Sequence, residues 1–243
     1  SIWLKTSSDT SIAQGAAARD MADDGRVALV YGSFHEGNCI KDIQTIHAAF
    51  PKILRLTGLD LQDPVEGNSF NFNSLKVTKV LVICTSSKLG FPPPNFQQFA
   101  YQLLLAATTN PGCLSHLRHA VCGNGQEMYE DTYMNMPRYM DLLLEKCGSK
   151  RFYARGEFGE PHAPLKTEAC ECKDWAAGVW SALTDTLVDG EATAWSPIAW
   201  SALWDMKASS VHADVTEWDM KQLEKQLAKA DIKPPVASAL AKL

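Results

Sequence analysis

The stretch Gly32-Ser33-Phe34-His35-Glu36-Gly37-Asn38 puts two glycines, a hydroxyl and an amide into seven residues. Backbone amides at the start of a following helix suit a dianionic phosphate, and the Ser33 hydroxyl and Asn38 side chain add donors. The stretch has neither the G-x-G-x-x-G of dinucleotide sites nor the lysine of a P-loop, so alone it fits a tight turn without ligand equally well. A second stretch, Thr85-Ser86-Ser87-Lys88-Leu89-Gly90-Phe91-Pro92-Pro93-Pro94-Asn95, is a long loop whose prolines fix its shape. Such loops carry ligand contacts or plain surface connections. In the third, Cys122-Gly123-Asn124-Gly125-Gln126-Glu127-Met128-Tyr129-Glu130-Asp131, two glycines let the backbone approach a flat ring and Tyr129 is placed to lie against it.

Other reactive residue types lack a partner at useful spacing. His35 has no nucleophile beside it and reads as a loop-ordering or solvent-facing residue. His116 and His119 flank the start of an apolar run and read as surface or packing residues, while Met134, Met136 and Met140 fall at helical spacing and fill core. Seven cysteines make an odd number without the spacing of a disulfide framework, which points to a reducing compartment, the cytoplasm. Cys170-Glu171-Cys172 has no second pair and no histidines at ligand distance, so no metal site is expected from it.

Each candidate stretch follows an apolar run and precedes a helical pattern. Arg26 to Tyr31 reads as a strand buried on both faces; Ile40, Ile43, Ile46 and Phe50 then mark a helix from Asn38 to Phe50, stopped by Pro51. Lys79 to Thr85 and Asn95 to Ala107 repeat strand and helix, and Leu117 to Cys122 with Tyr133 to Cys147 repeat them again. Lys150 to Ala154 is a fourth clear strand, Ile53 to Leu61 a weaker fifth, and Cys170 to Val188 the closing helix. This alternation calls for an α/β three-layer sandwich: five parallel strands, order 2-1-3-4-5, with ligands beyond the strand C-termini.

The net charge of -5 has none of the basic excess that a nucleic-acid backbone demands, and no apolar run reaches the roughly 20 residues of a membrane span. The chain begins with Ser1 and no signal-peptide pattern follows. It reads as a fragment, and an anchor outside it stays open. Residues 1–25 form an Ala-rich helical extension, 26–188 the α/β domain, and 189–243 a helical tail or linker outside the alternation. In that tail Trp195, Trp200 and Trp204 read as packing residues and Glu217 to Ala230 as an amphipathic helix.

Taken together in order, the three loops resemble those of the FMN domain of diflavin reductases, the family of microsomal NADPH-cytochrome reductase, sulfite reductase flavoprotein and the reductase half of nitric oxide synthase. There the loops read Y-G-S-Q-T-G-T, S-T-Y-G-E-G-D-P-P-D-N and F-G-L-G-N-x-x-Y-E-x-F. Here Tyr31-Gly32-Ser33 opens the first, Gly90 to Asn95 closes the second, and Gly123-Asn124-Gly125 with Tyr129-Glu130 carries the third. Gly156-Glu157 and Trp175 follow in family order, so the resemblance runs from about Arg26 to Leu187.

The resemblance implies a flavodoxin-like flavoprotein domain, an oxidoreductase part without a catalytic acid or base of its own. It would pass electrons from a FAD/NADPH-binding module to a haem or iron-sulfur acceptor. The residues it implies for the cofactor are Ser33, Phe34, His35, Glu36, Gly37 and Asn38; Thr85, Ser86, Ser87, Gly90 and Phe91; and Gly123, Asn124, Gly125, Tyr129 and Glu130. Glu36 stands where the family has a threonine, and Ser87 where it has a ring-stacking tyrosine, which implies weakened binding with Tyr129 as the chief ring contact. A docking module that has lost FMN and a flavodoxin domain fused to another redox enzyme are the alternatives. Glu127, Glu130, Asp131, Glu157 and Glu160 read either as a solvated face or as a docking patch for a basic partner.

Overall fold

In a computed structural model of the chain, residues 25–34, 37–88, 90–126, 134–160, 171–189 and 225 are described. They form β1 (Arg26–Gly32), α1 (Asn38–Ala48), α2 (Lys52–Leu56), β2 (Asp60–Leu61), β3 (Val65–Glu66), β4 (Thr78–Ser86), α3 (Gln97–Thr109), β5 (Arg118–Gln126), α4 (Asn135–Lys146), β6 (Lys150–Arg151), β7 (Gly156–Glu160) and α5 (Cys172–Asp189). Every pairing between these strands is parallel. The spatial order is β2-β1-β4-β5-β6, with β3 extending β2 along β1 and β7 extending β6 along β5. Counting each broken edge strand once gives five positions in the order 2-1-3-4-5.

Side chains of the central strands alternate between two cores because the pleat has a period of two. Ala28, Val30, Leu81, Ile83 and Val121 face α3 and α4, whereas Val27, Leu29, Val80, Val82, Cys84, Ala120 and Cys122 face α1 and α5. Burial on both faces explains why these strands read as continuous apolar runs. On the second face Trp180 is fully buried, edge-on to Phe50 at 4.9 Å, and its Nε1 donates to the Ile46 carbonyl at 2.8 Å. Trp175 Nε1 likewise donates to the Ala154 carbonyl, so both indoles lock α5 onto the sheet with their polar atoms satisfied.

The edge strands depart from the sequence reading. Ile53 to Leu61 is not one strand: 52–56 is a helical turn with Leu54 inside and Leu56 exposed, and only Asp60 and Leu61 pair with β1. Gly58, at φ 86, ends that turn, and the Leu59 N–H donates to the Leu54 carbonyl. Lys150 to Ala154 also breaks after Arg151, and pairing resumes at Gly156, opposite Cys122. The 1–25 extension from its start to Asp24 and nearly all of the 189–243 tail, with its tryptophans, lie outside the described residues.

Candidate functional site

The three loops gather at the C-terminal ends of β1, β4 and β5. Ser33 leaves β1, and its N–H donates to Asn95 Oδ1 at 3.1 Å, which ties the first loop to the end of the second. Gly37 is the N-cap of α1, in extended conformation, and no side chain caps the helix. The Gly37 N–H itself donates to the Phe34 carbonyl, so the donors left toward a ligand belong to the first residues of α1 and not to Gly37. A Cβ at Gly37 would sit 2.6 Å from Ser33 Oγ. That close approach buries the hydroxyl, and Ser33 Oγ has no hydrogen-bond partner. A buried unsatisfied hydroxyl beside an uncapped helix N-terminus is the donor set that a phosphate completes.

The second loop is pinned from three sides. Asn68 Nδ2 donates to the Pro94 carbonyl at 2.8 Å, its Oδ1 accepts from the Gln98 N–H, and Asn135 Nδ2 donates to the Gly90 carbonyl at 3.0 Å. Lys88 and Phe91 exchange backbone hydrogen bonds, which folds the loop tip back and leaves Phe91 half-buried. Ser86 and Ser87 are half-buried beside it, and Thr85 is fully buried, with its backbone opposite both Gly32 and Gly123. In the third loop Gly123, Asn124 and Gly125 prolong β5. Asn124 Oδ1 accepts from Asn38 Nδ2 at 3.4 Å and its Nδ2 donates to Asp42 Oδ2 at 3.0 Å, joining first and third loops. Of the sixteen residues expected at the site, His35, Glu36, Tyr129 and Glu130 lie outside the described residues; the other twelve converge on this end of the sheet.

One residue has a role that the sequence reading misplaced, and another takes the buried one of its two readings with partners that reading did not name. Glu157, read as part of a solvated face or docking patch, is buried: its carboxylate accepts two bonds from Arg138, at 2.9 and 2.7 Å, and one from Arg155 Nε at 2.9 Å. His119, read as a surface or packing residue, is wholly buried, with Nε2 3.1 Å from Asp141 Oδ1 and Nδ1 2.8 Å from Ser149 Oγ. Asp141 further accepts from Arg151 Nε at 2.8 Å and Arg155 Nη1 at 2.7 Å. Burial alone would push its carboxyl up, but His119, Arg151 and Arg155 outweigh that and hold it well below the usual carboxylate range. This network fastens α4 to β7 and to the residues that lead into it. A groove lined by Leu59, Val77, Val80, His116, Arg118 and Leu187 lies at the opposite ends of the central strands, away from the loops.

Residues 55–174 match the family model described as Flavodoxin. The bifunctional cytochrome P450/NADPH–P450 reductase 1 of Bacillus subtilis is 36% identical over 101 residues, covering 42% of this chain and 9% of the relative. The corresponding Bacillus cereus enzyme is 34% identical over 121 residues, covering 50% of this chain and 11% of the relative. The matches thus span about a tenth of those proteins' length. Among solved structures, a short-chain flavodoxin associated with a PDU bacterial microcompartment aligns with a TM-score of 0.51 at 16% identity, over 66% of this chain and 97% of that one. A Pseudomonas aeruginosa flavodoxin variant aligns with 0.50 at 20% identity, over 65% and 99%. These likenesses carry the fold. With the matched residues, the parallel strand order and the phosphate-type first loop in agreement, the chain carries a flavodoxin-like domain, and its cofactor is FMN.

Proposed function

We propose that residues 26–188 form the FMN domain of an NADPH-dependent diflavin reductase of the cytochrome reductase type. It receives electrons from a FAD/NADPH-binding module, in the full-length chain or in trans, and hands them to a haem or iron-sulfur protein. The observation that carries this reading is Ser33 Oγ, buried and without a partner beside the uncapped start of α1. The names of the Bacillus relatives, which join a cytochrome P450 to an NADPH–P450 reductase, support NADPH as the electron source and a haem protein as acceptor.

Bound FMN supplies one-electron carriage between a two-electron donor and a one-electron acceptor. The chain's own residues bind and orient. Ser33 Oγ and the first N–H groups of α1 hold the phosphate, and Asn95 and Asn124 keep the neighbouring loops in register with it. Phe91 and Tyr129 offer aromatic faces for the ring. No side chain is required to move a proton. No helix among the described residues is long and apolar enough to cross a membrane.

Titrating the purified chain with FMN and following flavin fluorescence tests the cofactor: saturable one-to-one quenching is expected. The loaded chain, mixed with a FAD-containing NADPH reductase module, should then reduce cytochrome c faster than either part alone. Absence of saturable binding at millimolar FMN makes the cofactor-free docking module the better reading.

A further inference from the structure

On the sheet face covered by α1 and α5, three cysteines remote in sequence come together. Cys39 is in the first turn of α1, and Cys84 and Cys122 are directly opposed on β4 and β5. The Cys39 Sγ, the Cys84 Sγ and a carboxylate oxygen of Asp42 all lie within 4.8 Å of one another. Cys122 sits opposite Cys84 in the parallel register, outside that triad. Small buried thiols are ordinary core. A carboxylate turned in among them is not, because a charged oxygen there needs a positive or donating partner. Asn124 Nδ2 holds Asp42 Oδ2 at 3.0 Å, the kind of outer contact that orients a ligating carboxylate.

We propose that Cys39, Asp42 and Cys84 supply three ligands of a tetrahedral site for a thiophilic d10 cation of the Zn2+ class, with water as the fourth. Ligand atoms at the corners of a triangle of that side lie about 2.8 Å from its centre, so a modest contraction reaches the about 2.3 Å of a zinc–thiolate bond. Asp42 is half-buried, so the cluster borders solvent on that side, and Cys172 Sγ donates to the Asp42 carbonyl at 3.5 Å. On binding, the Cys39 and Cys84 S–H bonds break, two sulfur–metal bonds form beside one carboxylate oxygen–metal bond, and two protons leave to solvent. A cation here ties the phosphate-type helix α1 to the central strand β4.

Metal-free protein titrated with Co2+ should develop the near-ultraviolet thiolate-to-cobalt band, which Zn2+ then removes. The Cys39→Ser/Cys84→Ser double variant should lack the band. Cys113→Ser, whose thiol packs on the other face of the sheet, should keep it. Asp42→Asn should weaken Zn2+ by about tenfold or more. On the unaltered protein, which avoids any folding defect of the variants, Zn2+ should slow alkylation of Cys39 and Cys84 at least about tenfold and leave Cys113 unchanged. No cobalt band in the unaltered protein, a band that survives the double variant, or equal protection of Cys113 overturns the site.

Discussion

The start of α1 and the start of α4 both lie beside strand ends that carry the loops, yet they treat polar groups in opposite ways. Neither helix start has a side-chain cap, but at α1 Ser33 Oγ is buried with nothing to bond. At α4 the Arg138 guanidinium is held in a fork by Glu157, and Arg155 bridges from Glu157 to Asp141. A complete network rigidifies; an incomplete donor set is retained where something else completes it. The contrast separates architecture from ligand site although both regions are rich in polar atoms: what distinguishes them is satisfaction, not composition.

Removing one member of the complete network should have the largest effect. Asp141→Ala leaves Arg151, Arg155 and His119 facing one another without their shared carboxylate, and breaking a buried ion pair on one side costs about 3 to 5 kcal/mol. Denaturant unfolding of variant and parent measures it. The pH dependence has a fixed sign. Asp141 is depressed in the folded protein relative to its value of about 3.9 when unfolded, so its contribution is full above that value and is lost as pH falls toward the folded one. The gap between parent and variant should stay constant from neutrality to about pH 5 and narrow only below about pH 4. A gap that closes near pH 6 would mean that some other group holds the network together.

At the incomplete site, charge comes next in size. Glu36 follows the phosphate-type turn in sequence, and a carboxylate near a phosphate carrying about two charges repels it by about 1 to 4 kcal/mol between bulk water and an effective dielectric of 20. Glu36→Thr should tighten FMN accordingly, most at low ionic strength, in isothermal titrations run at two salt concentrations. Identical affinities would show that the carboxylate turns away. The aromatic faces follow: Tyr129→Ala should lose about 1 to 3 kcal/mol of FMN binding, by analogy with base stacking, and Phe91→Ala less, because Phe91 is already half-buried against its own loop. If the order is reversed, the second loop supplies the principal ring contact.

The layer order and the three loops were legible in the sequence because strands buried on both faces leave continuous apolar runs, and turn residues punctuate them. Two kinds of feature were not. The second and fifth strand positions, at the sheet edges, are short and broken, so a helical turn with exposed Ile53 and Leu56 carried the same apolar signal as a strand. The buried ion partners of His119 and Glu157 went unseen because a polar residue in sequence does not announce its partner. Their partners, Asp141 and Arg138, lie on α4, and only the packing of that helix against the sheet brings them together. The thiols of Cys39, Cys84 and Cys122 were hidden for the same reason, since their proximity follows from the register Cys84 opposite Cys122 and not from spacing along the chain.

The smallest expected effect is the sharpest discriminator between the two regions. In the complete network, loss of a polar group destabilises the protein because its partners are stranded. At the incomplete site the reverse holds: Ser33 Oγ is already stranded, so Ser33→Ala removes an unsatisfied hydroxyl from a buried position and strands nothing. Burial of an unmet hydroxyl costs about 1 to 3 kcal/mol, so the FMN-free variant should be as stable as the parent or more stable by up to about 1 kcal/mol. FMN binding should move the other way, losing about 1.5 kcal/mol or more, roughly tenfold in affinity, because a hydrogen bond to a charged phosphate disappears. Unfolding of the FMN-free proteins and FMN titration of each measure the two sides separately. A variant that loses stability without losing FMN would assign Ser33 to the architecture, and the distinction drawn here between satisfied and waiting polar groups would fail at the residue on which it chiefly rests.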